Sequence, residues 1–358
     1  MKEEDKKRLK EIILHNLENH GIMWDEESNQ VIVDNFRDVQ QKLAEQTNFR
    51  GKKHKPKVQS YLAHPSEVDI LRICPYLVAV ESKAEHQRLW AYATSLWSVP
   101  ITVGYGRRMR YFVFDRQNKK LIGIIGLCDP VIGLGVRDKE SIEWSKDQKM
   151  QRLYNCMTAY ILGAIPPYNR ILGAKLVALT LLFPRVRQDF YVKYKDRRSI
   201  ISGENKTPYL VYIDTLGAFG KSSIYNRLMN WEFINYTKGQ SHLHMTANGS
   251  WESIREAVPE DVFETYEFGQ GPNWKLRTLR RALSEIGLSK DMLSIGWKRG
   301  YYRCTLAKNW QEYLRGDSNR VLWKKNTQSD LVSHWYERWV LPRKEILEQK
   351  LHSHDGYE

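Results

Sequence analysis

One stretch constrains the fold more than any other. RYFVFDRQNKKLIGIIGLCDP is followed further along by YNCMTAYILGAIPPYNRILGAKLVALTLL. Two apolar runs, residues 108–114 and 120–127, flank the polar residues 115–119, the pattern of a β-hairpin. A third run, 155–164, is apolar on both faces and predicts a buried central strand. It stops at Pro166-Pro167, because proline lacks the N–H that a ladder needs and disfavours the α conformation before it. Beyond it Ile171, Leu172, Lys175, Leu176, Leu179 and Leu182 recur at helical spacing, and Pro184 ends that helix. Hairpin, central strand, sharp turn and helix in this order predict an α+β fold: a mixed, mostly antiparallel sheet flanked by helices.

Amphipathic helices are expected on both sides of this stretch. Residues 3–20 carry the stripe Leu9, Ile12, Ile13 and Leu17 and end at Gly21. Residues 34–48 predict a second helix with Asp34 as N-cap, and 83–97 a third. The basic run 48–57 between them reads as a loop. Downstream, 207–215 reads as a strand, 224–229 as a helix, 231–236 as a strand and 252–257 as a helix within the loop-like 240–272. Residues 275–286 read as a basic helix, 299–306 as a strand, and 329–350 as a helix interrupted by Pro342. The expected division is a helical N-terminal region with a basic loop (1–82), the sheet domain (83–315) and a C-terminal helical extension (316–358).

Lysine and arginine number 56 against 42 acidic residues, a net charge of +14. That balance favours an anionic partner, nucleic acid before membrane. Lys193, Lys195, Arg197 and Arg198 interleave with Tyr191 and Tyr194, which suits backbone contact beside base stacking. Lys52 and Lys53 form a second candidate arm; the alternative for both is a solvated charged surface. No 18-residue apolar run and no signal-peptide pattern occurs, so a cytoplasmic protein without a membrane span is expected. The four cysteines, at 74, 128, 156 and 304, form no Cys-x-x-Cys pair and read as reduced thiols. His242 and His244 on a strand would present both rings on one face, but no third ligand is near, and no metal is expected. Gly220-Lys221-Ser222 ends like a phosphate-binding loop, yet Thr215 stands where the first glycine belongs.

Two resemblances add to this. The strand–Pro-Pro–Leu-rich helix element resembles the GNAT (N-acetyltransferase-like) fold, in which the corresponding turn cradles coenzyme A. That resemblance implies acetyl-CoA as cofactor and Tyr168, Asn169, Arg170 and Gly173 as its site, with Asn169 and Arg170 standing where Arg and Gly are usual. The residues themselves leave the cofactor open. Four stretches in order resemble the DruA family of Druantia anti-phage systems. They are the hairpin, Arg137-Asp138 with Ile142 and Trp144, residues 166–182, and Asp214-Thr215 with Asn230-Trp231 and Thr237-Lys238-Gly239. With KRGYYRCTLAKNWQEYLRG they cover roughly residues 85–315. The resemblance implies a GNAT-like fold, DNA as target and other defence-system proteins as partners. A looser one is to the Mom-type DNA-modification proteins of phages.

Three functions are therefore weighed. One is DNA binding in phage defence or mobile elements. The second is an acyl-CoA-dependent transferase acting on a nucleobase, for which Tyr168, Asp214, Tyr225 and Asn230 are the groups to test. The third is a metal-dependent nuclease using Asp129, Asp138 and Asp214. Arg137, Asp138 and Trp144 are expected to wall a cleft that Asp214, Tyr225 and Asn230 face; the competing reading of all six is structural.

Overall fold

The computed structural model describes residues 2–101, 104–199, 202–237, 242–259 and 274–353. Among these, nine strands occur. β1 (Ile22–Asp25) and β2 (Gln30–Val33) form a small hairpin. β3 (Pro75–Ala79), β4 (Arg108–Asp115), β5 (Leu121–Cys128), β6 (Cys156–Ala164), β7 (Tyr212–Gly217), β8 (Trp231–Thr237) and β9 (Arg299–Thr305) build one sheet in the order β3-β4-β5-β6-β7-β9-β8. Every neighbouring pair is antiparallel except β6 and β7. The expected α+β class and mostly antiparallel sheet are what the chain forms.

Alternation along β4 explains why the sheet is covered on both faces. Tyr111 and Val113 join a core with the helices Gly173–Thr180, Pro184–Tyr194 and Gln328–Trp335, through Val177, Phe190 and Trp335. Phe112 and Phe114 point the other way, onto Leu89 and Ala93 of the helix Ala84–Thr94. A separate core joins Leu9, Ile13 and Leu17 of the helix Glu3–Glu18, and Leu43 of Phe36–Asn48, to Met245, Ile254, Leu279 and Leu283. The N-terminal helices thus pack on the segment that lies between β8 and β9.

The parallel pair governs the site. β6 and β7 are laddered only over Cys156–Thr158 and Tyr212–Asp214. Past Thr158 and Asp214 the two strands run on unpaired and the sheet opens as a fork. On the other side of β6 the register slips, so that Gly126 faces Ile161 and Leu127 faces Ala159. Tyr160 is left over as a bulge, which re-aims its ring. Gly126 makes room for it: a Cβ there would sit 2.8 Å from the Tyr160 ring.

Several local expectations are corrected. The second helix is capped by Asn35, not Asp34; Asn35 is extended and its side chain accepts from the Arg37 N–H. The basic run 48–57 is not a loop but a 3-10 segment, Phe49–His54, and a helical turn, Lys55–Val58. Gly51 allows this, because a Cβ there would lie 2.0 Å from the Ala91 carbonyl oxygen. Gly51→Ala is therefore expected to lower stability by about 1–3 kcal/mol, read as a fall in the calorimetric midpoint; an unchanged midpoint would refute the contact. Residues 224–229 form turns rather than a helix. His242 and His244 are not on a strand, since a short helix, Leu243–Thr246, carries the second of them. The helix after Pro167 is broken at Leu172, at φ 63°, into Tyr168–Ile171 and Gly173–Thr180. Residues 240–241 and 260–272 of the expected loop, and Lys238 and Gly239, lie outside the described residues.

Candidate functional site

The fork holds a cavity of about 560 Å³. β6 contributes Thr158 and Tyr160 to its wall, β7 contributes Thr215, and the segment before β4 contributes Trp97 and Tyr105. Thr215 Oγ1 donates to the Ala159 carbonyl at 2.8 Å and so ties the two arms at the root of the fork.

Asp214 lies behind this root, 2% exposed. It accepts hydrogen bonds from Thr158 Oγ1 and, at 2.9 Å, from Tyr301 Oη. Tyr301 continues to Tyr212 Oη at 2.8 Å and Tyr212 to Ser141 Oγ at 2.7 Å. Burial raises the Asp214 pKa, with Arg137 and its hydrogen bonds acting against that. Arg137 is fully buried. It forms an ion pair with Asp138 at 2.8 Å and donates to the carbonyls of Val131 and Ile132 at 2.7 and 3.0 Å. Burial opposes its charge, but Asp214 and Asp138 outweigh that and hold its pKa up. Burial likewise opposes the Asp138 charge; Arg137, the Leu134 N–H and Lys149 outweigh it and hold that carboxyl low. Trp144 Nε1 also donates to Asp138, at 3.1 Å.

Arg137, Asp138, Trp144 and Asp214 thus belong to one buried charge cluster, with Thr158 between Asp214 and the cavity. Tyr225 reaches the cavity from the opposite side and stacks on Trp231 at 4.8 Å. Asn230 does not join them: it accepts from Lys324 Nζ at 2.9 Å. Asp129 pairs with Arg107 at 2.7 Å, and among the described residues no group of three or more His, Cys, Asp or Glu could hold a metal ion.

The turn after β6 stands apart from the cavity. Tyr168 is buried and donates to Asp115 at 3.0 Å; Arg170 Nη1 donates to the Ser353 carbonyl at 2.6 Å. Gly173 is needed for the close approach of the Tyr168 carbonyl, 2.5 Å from where a Cβ would stand, and Asn169 is exposed. Lys175, which spacing had suggested only as a helix position, donates to the carbonyls of Ser223, Ile224 and Asn226 and sits 4.0 Å above the Trp339 ring. Burial, and then Arg343 and Arg338, bring its pKa down to about 8.

The basic residues do form a surface. Lys193, Lys195, Arg197 and Arg198 are exposed at the end of the helix Pro184–Tyr194, and Lys193 Nζ reaches the Arg108 carbonyl at 2.8 Å. Burial, with Arg197 and Arg110, lowers the Lys193 pKa. Arg110 in turn contacts Tyr160 and lies over the Trp90 ring at 5.3 Å. A line of cations therefore runs from residue 198 to the cavity wall. Arg108 belongs to a basic-aromatic cluster, residues 104–108, that the sequence places close to the sheet; Arg110 was missed, although its spacing of two from Arg108 on a strand places both on one face. Tyr191 is 41% exposed and stacks on Tyr209, whereas Tyr194 is core. Lys52 and Lys53 are exposed on the 3-10 segment.

Residues 26–316 match the family model described as Druantia protein DruA. The chain belongs to the DruA family. A curated relative, Druantia protein DruA of Escherichia coli (strain UMEA 4076-1), is 36% identical over 296 residues, covering 80% of this chain and 73% of the relative. No solved structure matches the chain. The DruA match takes in the whole seven-stranded sheet, the fork, the Arg137–Asp214 cluster and the cation line; the helices after residue 316 lie outside it. No helix among the described residues of this DruA-family chain is long and apolar enough to cross a membrane.

Proposed function

We propose that this DruA-family chain is a DNA-directed protein of anti-phage defence, acting in the cytoplasm with other proteins of a Druantia system. The observation that carries the reading is the cation line from Arg198 through Arg197, Lys193 and Arg110 to the wall of the fork. A GNAT-like identity for the sheet is supported by the bulged central strand, the sharp turn and the helix that follows. Anisotropy titrations of labelled single- and double-stranded DNA at two salt concentrations test the proposal. Each phosphate contact contributes a slope of about −0.9 in log K against log salt on duplex, so four cations give roughly −3 to −4. Absent or salt-independent binding to both forms would overturn it.

One observation favours a second reading, transfer of a group to a nucleobase. Asp214, whose pKa is raised by burial, stands one hydroxyl away from the cavity and could take up a proton through Thr158. Acetyl-CoA is the donor to try first. The turn residues that would hold its diphosphate already bond the protein itself. Calorimetric titration without heat at millimolar acetyl-CoA would sink this reading.

A further inference from the structure

The fork cavity contains polar groups that the protein leaves unanswered. Gln40 lines it and is 1% exposed, yet neither its Nε2 nor its Oε1 has a hydrogen-bond partner. Burying an amide with both ends unpaired lowers stability, so such a group calls for an explanation. Its helix explains the placement: Val39 and Leu43 enter the N-terminal core, while Arg37 and Gln40, three residues apart, face the cavity.

Arg299 enters the same cavity from the start of β9. Its guanidinium stacks on Trp297 at 4.1 Å and has no carboxylate partner among the described residues. Burial brings its pKa down to about 10, so it remains charged at neutral pH. Arg37 and Lys221 add two more cations, and among the described residues no Asp or Glu lines the cavity. Trp97, Tyr105 and Tyr160 supply flat apolar surface.

A cavity with cations, no acids, aromatic walls and one amide offering both a donor and an acceptor complements a planar, hydrogen-bonding, anionic ligand. We infer that the fork is a nucleotide-binding site, in which Gln40 bonds a base edge and Arg299 the phosphate. Glutamine amides pair in this way with the N6 and N7 positions of adenine. The volume falls in the roughly 300–1,000 Å³ range of small-ligand pockets. The nucleotide has two sources, a free mononucleotide or one turned out of a bound strand. Arg110 against Tyr160 at the wall favours the strand, and that choice rests on the DNA-directed reading above.

The experiment uses the full chain and an end-labelled oligonucleotide carrying 2-aminopurine next to an adenine, so that the departure of that adenine from the stack is read by its neighbour; anisotropy and 2-aminopurine emission are followed in one titration. Emission is expected to change several-fold on binding. Gln40→Leu and Arg299→Gln are each expected to abolish that change while the anisotropy affinity stays within about threefold, because the cation line holds the backbone. Gln40→Leu should also raise the unfolding midpoint, since it removes an unpaired buried amide; a merely structural glutamine would give the opposite. Flat anisotropy with dAMP bound in equilibrium dialysis, and lost in Gln40→Leu, would keep the site and reject the DNA reading. DNA binding without an emission change, together with no dAMP binding, would overturn the nucleotide site and leave the DNA reading intact. So would wild-type behaviour of both variants.

Discussion

Replacing Arg137 by methionine is expected to lower the unfolding free energy by about 3–5 kcal/mol, the range seen when one partner of a buried ion pair is removed. Arg137 is fully buried and faces two carboxylates, Asp138 and Asp214, while its remaining N–H groups serve the carbonyls of Val131 and Ile132. Methionine fills similar space and answers none of these groups. Asp214 would take up a proton; Asp138, which keeps Lys149, Trp144 and the Leu134 N–H, would remain charged. The double variant Arg137→Met, Asp214→Asn should regain part of the loss, because one of the stranded charges is gone. Urea unfolding followed by tryptophan fluorescence measures both. A loss below about 1 kcal/mol in the single variant would mean that water screens the cluster, against the burial described above.

The second large effect is expected in acid. His244 is fully buried, with Nε2 2.9 Å from the Met292 carbonyl, and burial brings its pKa down to about 4. Unfolded histidine titrates near 6.5. The folded pKa is the lower one, so its contribution is complete above about pH 6.5 and is lost as the pH falls towards 4. At about 1.36 kcal/mol per pH unit, roughly 3 kcal/mol disappears over that window. His242, lowered to about 4 by burial and then by Lys275 and Arg299, acts in the same direction. Asp138, held below its usual 3.8, loses its contribution only at lower pH, and Asp214, raised by burial, gains as the pH falls. Urea midpoints at pH 7 and pH 4.5 should therefore differ strongly in the native chain and much less in His244→Asn. Equal midpoints in the native chain would contradict the burial.

The elements that were legible in the sequence are those whose pattern is local. The β4–β5 hairpin and β6 carry apolar residues on both faces because both faces are covered, and this shows in the residues alone. The helix Trp274–Glu285 shows a stripe instead, because only one of its sides enters the N-terminal core. What could not be read depends on partners far along the chain. Residues 224–229 have helical composition, but Lys175, about fifty residues earlier, takes the carbonyls of Ser223, Ile224 and Asn226 that a helix would use. Asp34 and Asn35 are both good caps by type, and only the backbone geometry distinguishes them. Tyr168 and Arg170 look like exposed turn residues until Asp115 and Ser353 are brought to them. Of the candidate site, Arg137-Asp138 was visible as an adjacent charge pair and Asp214 as an acid inside an apolar strand, but not that the three meet. Gln40 was not, since a glutamine between Val39 and Leu43 reads as the wet side of a helix until the fork is placed beneath it.

The N-terminal core joins Leu9, Ile13 and Leu17 to residues 245–293, and Asn16 even bonds Ser250, 234 positions away. Loop closure over that distance means that local pairings such as the β4–β5 hairpin can form long before this core does. During synthesis the first helix leaves the ribosome well ahead of the segment that will cover it. Its apolar stripe therefore stays uncovered until residues 245–293 have been made, an interval in which exposed apolar surface invites aggregation or chaperone capture.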